Sequence, residues 1–169
     1  MKSVVVYESL WGNTAAVARA IAQGFGPEAR ALSTAEADAT ALAGAGLIVA
    51  GAPVLGFKLP TEKMRESVRR TPGKAPAPPD LSHPAMRTWL EALPPGTGRA
   101  AAFDTQVRGP FGSAGPEIAA ALERAGYAPL AGPAAFTVKG KFGPLKDGEL
   151  ARAQQWGAEL AAISGAAGR

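Results

Sequence analysis

Apolar runs alternate with helical patterns along this chain. Val4 to Tyr7 reads "VVVY", an unbroken apolar run that predicts a strand covered on both faces. After a polar turn, Val17, Ala20, Ile21, Gly24 and Phe25 recur at the spacing of a helix laid on a sheet, and Gly26-Pro27 ends it. The pattern then predicts a short strand at 29–32, a weak helix at 40–44, a strand at 47–52 and a charged helix at about 60–70. Beyond these come a short helix at 86–93, a strand at 99–105, a helix at 113–126 with Ile118, Ala121, Leu122 and Ala125 inward, and a strand at 136–138. Pro133 suits that last strand to a sheet edge. The final helix, 148–163, aligns Leu150, Ala153, Gly157, Leu160 and Ala161.

Strands alternating with helices imply parallel pairing through crossover helices, and the right-handed rule leaves few arrangements. The expectation is an α/β three-layer sandwich: five parallel strands in the order 2-1-3-4-5 with helices on both faces. Ligands of such sheets sit beyond the carboxyl ends of the strands where the order reverses, here between the first and third strands. Glu8 to Thr14, Pro53 to Leu59 and Asp104 to Gly112 meet there.

Residues 71–84, "TPGKAPAPPDLSHP", hold five prolines and exclude regular structure. They read as an exposed connection within one domain spanning 1–169, since the flanking segments are too small to fold alone. His83, inside it, reads as an ordinary surface residue. Trp89 and Trp156 read as core anchors and Met64 and Met86 as fillers.

Composition narrows the chemistry. With no cysteine and one histidine, disulfides, iron–sulfur clusters, zinc–thiolate sites and thiol catalysis drop out. No apolar run approaches a membrane span and Glu8 interrupts the N-terminal apolar run, so a soluble cytoplasmic protein is expected. The net charge of +4 is concentrated in Lys58 to Lys74, which holds six Lys/Arg against Glu62 and Glu66. That stretch reads either as a surface for an acidic partner or as a solvated helix face. Without interleaved aromatics it offers nucleic acid no stacking platform.

The turn "SLWGNT", Ser9 to Thr14, joins the first strand to the first helix. Gly12 permits a tight backbone, Ser9, Asn13 and Thr14 offer side-chain hydrogen bonds, and a helix start presents unsatisfied N–H groups. Such a turn suits an anion, and equally it caps a helix. The Walker lysine motif and the dinucleotide G-x-G-x-x-G are both absent, and the turn lacks the carboxylate cluster of a receiver domain. A single terminal phosphate is the best match. Ser9 and Ser113 lack a histidine partner, so no nucleophile–base pair is legible.

"SLWGNT" resembles the flavodoxin phosphate loop, [ST]-x-T-G-[NH]-[ST]. "VVYESLWGNTAAVARAIAQGF" and "GPLKDGELARAQQWGAELA" are similar to a group of short, stand-alone bacterial flavodoxin-domain proteins. The resemblance implies a flavodoxin-like fold that binds FMN, with its phosphate over the first turn and its ring between the other two loops. It assigns Ser9, Asn13 and Thr14 to the phosphate through side chains, with amides from Leu10, Trp11, Gly12, Asn13 and Thr14. Leu55, Gly56 and Phe57 fall beside the ring, and Gly56 allows the peptide rearrangement that accompanies flavin redox change. Asp104, Thr105, Gln106, Arg108 and Gly109 fall in the loop at the pyrimidine edge, where Asp104 reads equally as a loop brace.

This sequence departs from that pattern in three ways. The second threonine of the phosphate loop is Trp11; the stacking tyrosine of the third loop is missing, leaving Trp11, Phe57 or Phe111 to replace it; and the protein is basic where electron-carrier flavodoxins are acidic. The resemblance implies electron transfer with a redox partner protein or a small-molecule acceptor. An FMN-dependent NAD(P)H:quinone-type reductase is the enzymatic alternative. A module that has lost its flavin and acts through Lys58 to Lys74 is the third.

Overall fold

The computed structural model describes residues 1–167. In chain order the elements are β1 (Lys2–Tyr7), α1 (Asn13–Phe25), β2 (Arg30–Ser33), α2 (Ala39–Leu42), β3 (Ala45–Pro53), α3 (Glu62–Arg70), α4 (Met86–Ala92), β4 (Arg99–Val107), α5 (Gly115–Arg124), β5 (Ala128–Pro129), β6 (Ala134–Val138) and α6 (Glu149–Ala167). The sheet order is β2-β1-β3-β4-β5, with β6 also paired to β4, and every strand pair is parallel.

The unbroken apolar strands are buried on both faces, and the two-residue period sorts their side chains between two cores. Val4, Val6, Ile48, Ala50, Ala100 and Ala102 join Met86, Trp89 and Leu90 of α4 and Ile118 and Leu122 of α5 on one face. Val5, Leu47, Val49, Ala101 and Phe103 join Val17 and Ile21 of α1 and Ala153 and Leu160 of α6 on the other. Trp89 also donates its indole N–H to the Ala37 carbonyl at 2.9 Å, so its polar end is satisfied inside the core.

Glycines let α1 and α6 lie close. A Cβ on Gly24 would stand 2.0 Å from the Gln154 carbonyl oxygen, and one on Gly157 would stand 2.2 Å from that of Ile21. Both glycines belong to the apolar stripes read from the sequence, and the reason for them is backbone contact.

Two expectations change. The single fifth strand is two, because after Leu130 N–H donates to the Ala100 carbonyl the chain leaves the ladder at residues 131–133, where Pro133 has no N–H to offer, before pairing again from Phe103↔Ala134. Leu150 is 46% exposed rather than aligned inward. Glu149 turns the first turn of α6 toward β6 by accepting the Thr137 N–H at 2.6 Å, and this leaves Leu150 facing outward.

Candidate functional site

The polypeptide between β1 and α1 is held from below and left open above. Ser9 Oγ accepts the N–H groups of Gly12 and Ala15 at 3.1 and 3.2 Å, which folds the turn onto the start of α1. Gly12 supplies the left-handed backbone, φ 91°, that this fold-back needs. Thr14 Oγ1 and Thr105 Oγ1 are 2.8 Å apart, tying the turn to β4. Asn13 donates through Nδ2 to the Phe142 carbonyl at 3.2 Å, and Gly143 leaves room for that side chain, since a Cβ there would stand 2.6 Å from its amide atoms.

These bonds leave a specific set of donors. Among the described residues the backbone N–H groups of Leu10, Trp11, Asn13 and Thr14 have no protein acceptor, while those of Ser9, Gly12 and Ala15 do. They belong to residues lining a cavity of about 40 Å³. A water needs about 10–15 Å³, so this space admits a small oxyanion but no extended polar group. The amides and the positive end of the α1 dipole favour negative charge there. Ser9 Oγ accepts twice and keeps its own hydrogen free to donate.

The carboxylate nearest the turn points away from it. Glu8 is fully buried; its Oε1 accepts the Met86 N–H at 2.9 Å at the start of α4, and its Oε2 lies 3.5 Å from Arg65 Nε. Burial pushes Glu8 up to about 7 against the opposing pull of the Met86 amide and the Arg65 guanidinium. Arg65 is itself buried and donates to the His83 carbonyl at 2.5 Å. The helix read as a solvated charged face therefore has one of its cations in the core, and Glu66 answers Arg69 and Arg70 outside.

The connection after α3 was expected to be exposed, with His83 on the surface. His83 is instead 5% exposed, and its Nε2 accepts the Ser9 N–H at 3.0 Å. Asp80 N–H donates to the Leu10 carbonyl at 2.8 Å and Trp11 Nε1 donates to the Ala77 carbonyl at 3.1 Å. These three bonds draw the second half of the proline-rich segment under the turn, and Pro79 is buried with it.

A second space adjoins the first. A groove of about 300 Å³ is lined by Leu55, Gly56, Phe57 and Phe111, and it shares Val54, Val107 and Lys141 with the small cavity. Leu55 and Lys58 exchange backbone hydrogen bonds at 2.9 and 3.3 Å, closing a two-residue turn in which Gly56 and Phe57 both have positive φ, 58° and 69°. Phe57 is held outward, 67% exposed, with Phe111 at 48%. Left-handed backbone at a bulky residue is strained, and here it presents an aromatic ring to solvent.

The whole chain can be compared with solved structures. It matches a flavodoxin from the domain Archaea over 98% of its own length and 99% of that chain, at 21% identity and a TM-score of 0.65. Flavodoxin 2 from Bacillus cereus matches over 96% and 99%, at 16% identity and a TM-score of 0.66. The fold is that of the flavodoxins. Rubredoxin oxygen:oxidoreductase from Desulfovibrio gigas contains the same flavodoxin-like unit: 98% of this chain aligns with 36% of that one, at 17% identity and a TM-score of 0.64. No family model matches the sequence, and no curated protein does either.

Within this flavodoxin-like frame, the residues picked from the sequence separate into groups. Ser9, Leu10, Trp11, Asn13 and Thr14 line the small cavity, but Thr105 and Gln106 line it too, rather than a ring edge. Leu55, Gly56 and Phe57 line the groove. Trp11 packs edge-on against Phe142, centroids 4.7 Å apart, as a wall of the cavity, and leaves the groove to Phe57 and Phe111. Asp104 accepts from Ala114, Gly115 and Gln106 at 2.9, 2.9 and 2.7 Å, so its carboxylate braces the start of α5. Arg108 and Gly109 are exposed beside these spaces. Sequence reading missed His83, Lys141 and Phe142. The signal for the last two was "KGKFGP" directly after the last strand, at the sheet end where ligands bind.

Proposed function

We propose that this protein binds FMN and serves in electron transfer. The observation that carries this reading is the adjoining pair of spaces. A small cavity with four unpartnered amides suits a phosphate, and it shares Val54, Val107 and Lys141 with a groove flanked by two exposed phenylalanines, which suits a flat ring. The residues present therefore fit the group. Leu10, Trp11, Asn13 and Thr14 would hold the phosphate by N–H donation, helped by the Ser9 hydroxyl. Phe57 and Phe111 would flank the ring, and Gly56 would accommodate a change in the peptide beside it. When bound, the isoalloxazine supplies one- or two-electron chemistry that no side chain here provides.

The loops around the groove bear on the partner. Residues 54–61, 108–114 and 139–146 carry Lys58, Arg108, Lys139, Lys141 and Lys146 and no Asp or Glu, and of these cations Lys139 is answered by Asp147 at 3.8 Å. A cationic mouth steers an anionic partner and repels a basic one. The protein or small molecule that exchanges electrons here therefore presents negative charge.

Fluorescence titration with FMN and with riboflavin tests the proposal. FMN should bind at least about tenfold more tightly, ~1.4 kcal/mol, because only it has the phosphate. Equal affinities, or none for either flavin, would overturn it. In the loaded protein, electron exchange with an acidic carrier should slow as salt is added.

A further inference from the structure

We infer that His83 is a positioning residue for the phosphate turn: its imidazole is the proton-controlled acceptor that holds Ser9, and through Ser9 the amides of Leu10 and Trp11. The inference rests on the flavin reading only for the ligand; the device itself belongs to the turn.

The geometry fixes the chemistry. Ser9 N–H donates to His83 Nε2 at 3.0 Å, so Nε2 carries no proton and the imidazole is neutral, with its hydrogen on Nδ1. A second proton would set an N–H against an N–H in a buried site. The bond is then lost, and Ser9 must move or leave a buried donor unpaired. Ser9 is also the hub of the turn, since its hydroxyl accepts from Gly12 and Ala15. Displacing it disturbs the donors on either side.

The surroundings keep the ring neutral without making charging impossible. From α3, Arg65 lies against the His83 carbonyl at 2.5 Å and opposes a second positive charge. Glu62 of α3 and Glu36 after β2 favour it, but Glu62 is already committed to Arg65 and the Ala85 N–H. On its own loop, Asp80 Oδ1 stands 3.8 Å from Nδ1 and accepts from both the backbone and the hydroxyl of Ser82. Glu8, the neighbour of Ser9, faces Arg65. Burial is the largest influence and lowers the imidazole below its ordinary 6.5, with Asp80 opposing it. Charging therefore needs a pH below that of an ordinary imidazole.

His83 is the only histidine in the chain, so its imidazole nitrogens are observable without assignment ambiguity. The first measurement is an NMR titration of the flavin-free protein from pH 8 downward until the imidazole has charged. The Ser9 amide should shift with the same midpoint as the imidazole; a Ser9 amide that stays still while the imidazole titrates overturns the inference. The second compares FMN with riboflavin across this range in the wild type, His83→Gln and His83→Leu. Glutamine keeps an acceptor that does not titrate, and the ionisations of Glu8 at about 7 and of the phosphate near pH 6 are common to all three proteins.

Between pH 7.5 and a pH below the imidazole's midpoint, the wild type should lose about tenfold more of its preference for FMN than His83→Gln does. His83→Leu should be weak throughout, with no such break. Identical profiles for the wild type and His83→Gln overturn the inference. So does a wild-type preference that rises on acidification, which would make the imidazolium a counter-charge for phosphate. Should neither flavin bind at any pH, the FMN reading fails and the co-titration of Ser9 and His83 alone decides the positioning role.

Discussion

Replacing Arg65 by Met should destabilise the protein in a pH-dependent way. Arg65 is 2% exposed, and its guanidinium is the only cation within salt-bridge distance of the fully buried Glu8 among the described residues. Removing one partner of a buried pair costs about 3–5 kcal/mol because the other charge is stranded. At about 2–4 °C per kcal/mol for a chain of this size, the melting temperature at pH 8 should fall by roughly 6–20 °C.

At pH 5 the cost is smaller. Glu8 titrates at about 7 in the folded state against an ordinary 4.5, so the folded state holds this proton more tightly than the unfolded chain. Its contribution to stability is complete below 4.5 and is lost as pH rises through about 7. At pH 5 Glu8 is already neutral, and Arg65→Met removes the packing, the bond to the His83 carbonyl and the part-exposed pair with Glu62, about 1.5–3 kcal/mol. Thermal melts of wild type and variant at both pH values measure the difference, and adding Glu8→Gln to the variant should abolish it. An equal drop at the two pH values, or a larger one at pH 5, would refute the stranded-charge reasoning.

Two further substitutions probe the frame and the groove. Gly157→Ala places a methyl 2.2 Å from the Ile21 carbonyl oxygen, so α1 and α6 must separate. A loss of at least about 1–3 kcal/mol is expected in a denaturant melt, and an unchanged midpoint would contradict the close approach. Phe57→Gly relieves the left-handed strain at φ 69° and should raise stability by about 1 kcal/mol while weakening FMN and riboflavin alike by about two- to tenfold. A loss confined to FMN would show that Phe57 acts on the phosphate instead of the ring.

Much of the architecture was legible because it rests on local periodicity. The "VVVY" run, the stripe through Val17 and Ile21 and the helix around Ile118 and Leu122 each carry their burial in their own spacing, and alternation then selects the sheet order. The break between β5 and β6 was half visible: Pro133 marked an edge, but nothing local tells whether a chain that leaves a ladder returns to it. The site divides in the same way. Gly12 and the hydroxyls of the first turn announce themselves, whereas His83 is reached only through a contact 74 residues away in sequence. Proline content describes its segment correctly as irregular, but irregular backbone need not be exposed when a neighbouring turn offers hydrogen bonds. The orientation of Glu8 is hidden from sequence for a related reason: sequence gives its proximity to the turn, and only the partner on α3 gives its direction.

The close seating of α6 on α1 bears on the order in which the molecule is made. One flank of α1 rests on α6, so α1 stays incompletely covered while the intervening strands are being synthesised. Newborn chains still tethered to the ribosome thus present a half-dressed first helix, and the cavity beside it matures only after α6 emerges.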